Sequence, residues 1–110
     1  NPQELANKYP ILYKIFEPIA IKHLYLPLIK NPSEAVQLVA VNQDGHAIYY
    51  IKNPSEDVQL AAVNQDGYAI QYIKNPSEDV QLAAVNQNGN VIRFIKKPTI
   101  SVQMMAKLLS

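Results

Sequence analysis

A block of 22 residues occurs three times in this chain, head to tail and without a spacer. The copies are NPSEAVQLVAVNQDGHAIYYIK at 31–52, NPSEDVQLAAVNQDGYAIQYIK at 53–74 and NPSEDVQLAAVNQNGNVIRFIK at 75–96. The first two differ at four of 22 positions and the last two at five. A unit this short cannot enclose a core of its own. It must bury its apolar face against the next copy, and a fixed short period therefore points to a repeat architecture.

The ends follow the period less closely. Lys97-Pro98 stands where Asn-Pro is expected, and Val102-Gln103-Met104 where Val-Gln-Leu is expected. Upstream, Tyr9-Pro10 lies one period before Asn31-Pro32, and Leu28-Ile29-Lys30 is in phase with Tyr50-Ile51-Lys52. Tyr9–Lys30 reads as a degenerate first repeat behind a short helix begun by Asn1-Pro2-Gln3-Glu4. The chain is thus a single repeat domain over 1–110: a degenerate N-terminal cap at 1–30, clean repeats at 31–52, 53–74 and 75–96, and a partial C-terminal capping repeat at 97–110. It does not begin with Met, so a trimmed chain or a fragment is expected.

Within a repeat the local signals point to helices. Asn53 suits a helix cap, Pro54 the first turn, and Glu56 the third position, where it faces the positive helix end. Val58, Ala61 and Ala62 fall at i, i+3 and i+4 among good helix formers. Gly45, Gly67 and Gly89 share one position, where a left-handed residue just past a helix C-terminus is expected. A second short helix is expected over Tyr68–Lys74, with Ala69, Ile70 and Ile73 on one face and the next Asn-Pro as its stop. Tyr68, Ile70 and Tyr72 also alternate, which is a strand pattern, and a helix-plus-strand horseshoe is the competing reading. Ala and Gln suit a helix better. The expected fold is all-α: a short solenoid of stacked two-helix repeats with a 22-residue period. Single helices of this length are unstable in water, so large-to-small changes in the stacked core should cost about 2–5 kcal/mol each.

The motif NPSE-x-VQL-x-AV-x-Q-x-G-x-A-I-x-Y-I-K resembles the short tandem helical repeats of a bacterial domain-of-unknown-function family. Those repeats occur in secreted-effector-like, phage-related and other bacterial proteins. The likeness covers Asn31–Lys96 and carries no catalytic residues. It implies an α-helical array and suggests an interaction role.

Composition removes several function classes. Ten Lys and Arg against nine Asp and Glu leave little of the basic excess typical of a nucleic-acid binder. No cysteine is present, so disulfides, thiolate metal sites and thiol nucleophiles are excluded, as suits a reducing compartment. No apolar run approaches the roughly 20 residues that span a bilayer; the longest, Ile19–Leu28, is broken by Lys22, His23 and Pro27. The expected location is the cytoplasm, or a host cell after delivery.

Candidate chemistry is sparse. His23 and His46 have no partner at metal-ligand spacing, so no metal or cofactor is expected. Glu34, Glu56 and Glu78 recur in register; an acid/base pair is one reading, but a ladder of equivalent helix-cap carboxylates explains them better. Asp44-Gly45 and Asp66-Gly67 lack the other ligands of a calcium loop and read as turns. Lys30, Lys52, Lys74, Lys96 and Lys97 form a basic row that could follow a phosphate backbone, with Tyr50, Tyr72 and Phe94 stacking on bases. The alternative places those lysines at helix C-termini and the aromatics in the core. Gln37, Gln59, Gln81 and Gln103 recur in every copy, and a hydrogen-bonded ladder between adjacent repeats is the hypothesis for them.

No unique cluster of titratable groups stands out, and no enzymatic activity is expected. The copies instead differ mainly in the second helix. His46, Tyr68 and Asn90 share one position, and Tyr49, Gln71 and Arg93 another three residues later. Positions three apart share a helix face, so stacking should align these six as a strip, with rungs about 10 Å apart. The strip mixes aromatic, amide and guanidinium groups, a chemistry enriched in protein–protein hot spots; free drift of exposed positions is the alternative. The expected function is a non-enzymatic protein-interaction module, of phage or effector type, that inhibits its partner by binding. A nucleic-acid-binding array using the lysine row and a structural repeat segment of a larger protein are the rival expectations.

Overall fold

The computed structural model describes residues 2–15 and 26–109. His23, the expected cap at Asn1, and most of the apolar run Ile19–Leu28 lie outside the described residues, as does the middle of the degenerate repeat. Two short helices open the chain, α1 (Pro2–Lys8) and α2 (Pro10–Ile15), followed by a 3-10 turn, η1 (Leu26–Leu28). Then one pattern recurs: α3 (Glu34–Gln43) and η2 (Gly45–Tyr50), α4 (Glu56–Gln65) and η3 (Gly67–Tyr72), α5 (Glu78–Gln87) and η4 (Gly89–Phe94). Helix α6 (Ile100–Leu109) closes the described chain. The protein is all-α, and no strand occurs among the described residues.

The competing strand reading of Tyr68–Lys74 therefore gives way to a helix, but of the 3-10 type. Ala69 N–H donates to Asp66 O at 2.9 Å and Ile73 N–H to Ile70 O at 3.1 Å, both spanning three residues. A period of three puts Gly67, Ile70 and Ile73 in one buried column. The sequence spacing of Ile70 and Ile73 served this column as well as it would have served an α-helix.

Each α-helix packs on the next, α3 on α4, α4 on α5 and α5 on α6. Each 3-10 helix packs on its own α-helix, on the following α-helix and, where there is one, on the following 3-10 helix. Two layers result. Between them run columns of equivalent side chains with essentially no exposure: Val58, Val80 and Val102; Ala40, Ala62 and Ala84; Val41, Val63 and Val85. Removing most of Ile70, 1% exposed between the layers, should cost about 2–5 kcal/mol. At the N-terminal end, α1 and α2 pack on α3.

The helix starts differ from expectation by two residues. The caps are Ser33, Ser55 and Ser77, whose Oγ atoms accept from Val36, Val58 and Val80 N–H at 3.3 Å. Glu56 is consequently the first helical residue, not the third. Asn31, Asn53 and Asn75 stand ahead of the caps with φ of 56°, 50° and 50°. They supply the left-handed residue of each repeat, a conformation that Asn tolerates better than most side chains.

The glycines accordingly do something else. None has positive φ. Each is buried at the start of a 3-10 helix, against the α-helix of the next copy. A Cβ on Gly45 would stand 2.5 Å from Ala62 O, and one on Gly67 2.8 Å from Ala84 O. The corner before each glycine is one extended residue, Asp44, Asp66 or Asn88, which ends one helix and caps the next. Asp66 N–H donates to Ala62 O while its side chain accepts from Tyr68 N–H at 2.9 Å.

The ladder expected of Gln37, Gln59, Gln81 and Gln103 is made by other glutamines. Those four donate from Nε2 to Pro32, Pro54, Pro76 and Pro98 O at 2.9 to 3.0 Å, each inside its own copy. The link between copies comes from Gln65 and Gln87, whose Oε1 atoms accept from Gly45 N–H at 2.6 Å and Gly67 N–H at 2.8 Å. Glycine and glutamine form one clasp: the missing Cβ allows the approach, and the amide oxygen takes the N–H thereby buried. Gly89 meets Leu109 in place of a glutamine.

Candidate protein-interaction surface

The expected strip falls on η2, η3 and η4. In a 3-10 helix, side chains at i and i+3 eclipse one another, so His46 and Tyr49, Tyr68 and Gln71, and Asn90 and Arg93 each form one column. The Asp or Asn corner fixes where each column starts. The Ile that ends each 3-10 helix, packed inward, holds its far end.

His46 and Tyr68 are half-buried, whereas Tyr49, Gln71, Asn90 and Arg93 are exposed. His46 Nε2 donates to Asp66 Oδ2 at 2.9 Å, across the junction between copies, with the two side chains about one-third exposed. In the neutral ring, Nδ1 then accepts from Tyr72 O–H at 3.4 Å. Tyr49 meets the edge of Tyr72 with ring centres 5.3 Å apart and touches Tyr50 at 5.1 Å. One junction along, Tyr68 packs on Phe94 at 5.8 Å. The Arg93 guanidinium lies 4.9 Å from the Phe94 ring centre and 5.9 Å from that of Tyr68. Both junctions therefore carry an aromatic contact and, at the second, a cation over two rings.

Not every expected residue joins in. Gln71 Nε2 donates back to Tyr68 O at 3.0 Å and stays within its own rung. Asn90 is tied by its backbone, whose N–H donates to Asn88 Oδ1 at 3.0 Å. Tyr72, expected either to stack on bases or to fill the core, is 38% exposed and bridges His46 and Tyr49. Its place is legible once the period is three. Ala69 and Tyr72 then share a column that begins in the core and ends over the preceding rung. Phe94 occupies the equivalent place beneath Arg93 and Tyr68. Asp66 also belongs to this surface, through His46.

The other candidate rows behave differently. Lys30, Lys52, Lys74, Lys96 and Lys97 are exposed. Among the described residues, the cation over aromatic rings in this region is Arg93, not a lysine of the row. Glu34, Glu56 and Glu78 open their helices at the positive dipole end, and Glu56 accepts from Ser77 Oγ of the next copy. No group of three or more His, Asp or Glu among the described residues is placed to hold a metal ion. No helix among them is long and apolar enough to cross a membrane.

No family model, curated protein or solved structure matches the chain.

Proposed function

We propose that this chain is a non-enzymatic protein-interaction module, a short solenoid of 22-residue two-helix units that presents the strip on η2–η4 to a protein partner. The observation that carries the reading is Tyr49. The residue is 65% exposed although its ring rests edge-on against Tyr72, so a large aromatic surface is positioned by a neighbour and left in water. Ordered aromatics beside an Arg are what interface hot spots are made of, because their contact area costs little conformational entropy on binding. Tyr49, Tyr72, Tyr68, Phe94 and Arg93 form the working face, with His46 and Asp66 bracing its first junction. The resemblance to repeats of effector-type and phage-related proteins fits a module that inhibits a partner by occupying it.

The test is a matched capture from lysate with the wild-type chain and the Tyr49→Ala/Arg93→Ala double variant. A partner retained by the first and lost by the second, with affinity falling by roughly 10-fold or more per hot-spot residue, is the expected result. Equal capture by both baits would move the interface off this strip. The lysine-row alternative has its own signature, since nucleic-acid binding through phosphate contacts falls steeply with salt.

A further inference from the structure

The two junctions of the strip repeat one ring geometry and differ in what lies over it. At the first, His46 and Tyr72 meet with ring centres 5.7 Å apart and planes at 72°; at the second, Tyr68 and Phe94 meet at 5.8 Å and 69°. The pairs are equivalent, one 22-residue period apart. Over the second pair lies the Arg93 guanidinium, 4.9 Å from the Phe94 ring centre and 5.9 Å from that of Tyr68. At the first junction the place of Arg93 is taken by Gln71, an exposed side chain whose amide turns back to Tyr68 O at 3.0 Å. Among the described residues, no cation lies over the ring of Tyr49 or Tyr72. The chain thus contains one filled example of a cation seat, and a second seat of the same geometry to which it brings no cation itself.

The charge at the corner changes with the cation. At the second junction, where Arg93 is built in, the corner residue is neutral Asn88; at the first it is Asp66. Asp66 Oδ2 accepts from His46 Nε2 at 2.9 Å and Oδ1 from Tyr68 N–H at 2.9 Å. With the His46 ring neutral, both donors are uncharged, and the carboxylate keeps its negative charge beside the rings. The first junction also has a ring that the second lacks, since Tyr49 stands at the place of Gln71 and meets Tyr72 at 5.3 Å. Tyr49 and Tyr72 are both exposed and open to a group arriving from solvent. Aromatic faces are negative and attract cations, and a planar, weakly hydrated guanidinium stacks on them more readily than an ammonium does.

We propose that the first junction seats an arginine side chain of the protein partner over Tyr72 and His46, with Tyr49 beside it and the Asp66 carboxylate as its counter-charge. Assigning the arginine to a partner rests on the reading of η2–η4 as a protein-binding strip; the seat itself is testable without one. The experiment is an NMR titration of the full chain, in mildly alkaline buffer, with blocked Gly-Arg-Gly, Gly-Lys-Gly and Gly-citrulline-Gly peptides, followed at the aromatic ring signals. The signals of Tyr49 and Tyr72 should move with the arginine peptide, and its affinity should exceed that of the neutral citrulline peptide by about 2- to 30-fold. Asp66→Asn installs the corner of the next copy, where Asn88 still caps Asn90 N–H, and should weaken the arginine peptide about fivefold. Gln71→Arg supplies the cation in cis and should abolish the response, whereas Tyr72→Phe, which installs the ring of the next copy, should keep it. No response by the wild type, equal affinity for the arginine and citrulline peptides or for the arginine and lysine peptides, or an undiminished response in Gln71→Arg would overturn the proposal. A partner lost from the Tyr49→Ala/Arg93→Ala bait, in a chain that gives no arginine response, would remove this inference and leave the interaction strip standing.

Discussion

Replacing Gly67 by Ala separates two accounts of the glycines. If Gly67 occupied the left-handed region, Ala would be penalised for its own backbone conformation, and Asn would be an acceptable substitute. In this structure its φ is unexceptional, and the penalty is a collision with a neighbour. A Cβ at residue 67 meets Ala84 O at 2.8 Å and Gln87 Oε1 at 2.8 Å. The first is backbone in the middle of α5 and cannot rotate away. The second is the acceptor of the Gly67 N–H bond, so yielding there opens the clasp. Overpacking of this kind costs about 1–3 kcal/mol, and a buried hydrogen bond about 1 kcal/mol more. The lower chain entropy of unfolded Ala returns about 0.4–1 kcal/mol. The net expectation is a loss of about 1–3.5 kcal/mol, read as a drop in Tm of roughly 5 °C or more. Gly45→Ala should be worse, since its Cβ would meet Ala62 O at 2.5 Å, and Gly89→Ala milder, at 3.0 Å from Ala106 O with no clasp to break. Urea melts of the three variants give the order Gly45, Gly67, Gly89. Equal losses at all three sites, or a Gly67→Asn variant as stable as wild type, would refute the collision argument.

The remaining substitutions probe the corners, the clasp and the strip. Gln87→Leu leaves Gly67 N–H buried without an acceptor and should cost about 1–3 kcal/mol in urea melts, whereas Gln59→Leu, whose bond stays inside one copy, should cost about 1 kcal/mol. Asn53→Gly should be tolerated at φ of 50° while Asn53→Ser is destabilising by about 1–2 kcal/mol, an order that thermal melts would show reversed if Asn53 were a helix cap. Ser77→Ala should remove about 1 kcal/mol through loss of the cap, again by thermal melt. In the strip, Tyr49→Ala and Arg93→Ala should weaken a captured partner with little change in Tm, but Tyr68→Ala should lower Tm as well, because that ring is half-buried against Phe94.

The sequence carried the period, the helical class and the columns of the core, because all three follow from apolar spacing. It misled where one residue type can do two jobs. Gly after a helix is most often the left-handed residue, but here Asn53 takes that role and Gly67 is small for the sake of Ala84 O. Asn, Pro and Ser in succession offer two candidate caps, and only the backbone shows that Ser55 is the one used. The glutamine link between copies is made by Gln65 and not by Gln59, and the difference depends on which of the two faces the neighbouring copy. That the six varying positions fall three apart on one short element of each copy was legible in the spacing. Their contacts were not legible, since Tyr72 reaches His46 and Tyr49 only when the second helix winds with three residues per turn.

Whether the three 3-10 helices present one continuous strip is open to a direct distance measurement. The chain contains no cysteine, so pairs of spin labels can be placed at the exposed positions 49, 71 and 93 without background. A regular stack predicts equal 49–71 and 71–93 separations, each near 10 Å between backbones before label length is added, and a 49–93 separation about twice as long. Unequal adjacent separations, or a 49–93 distance no longer than 49–71, would contradict a solenoid of equivalent units and the strip built on it.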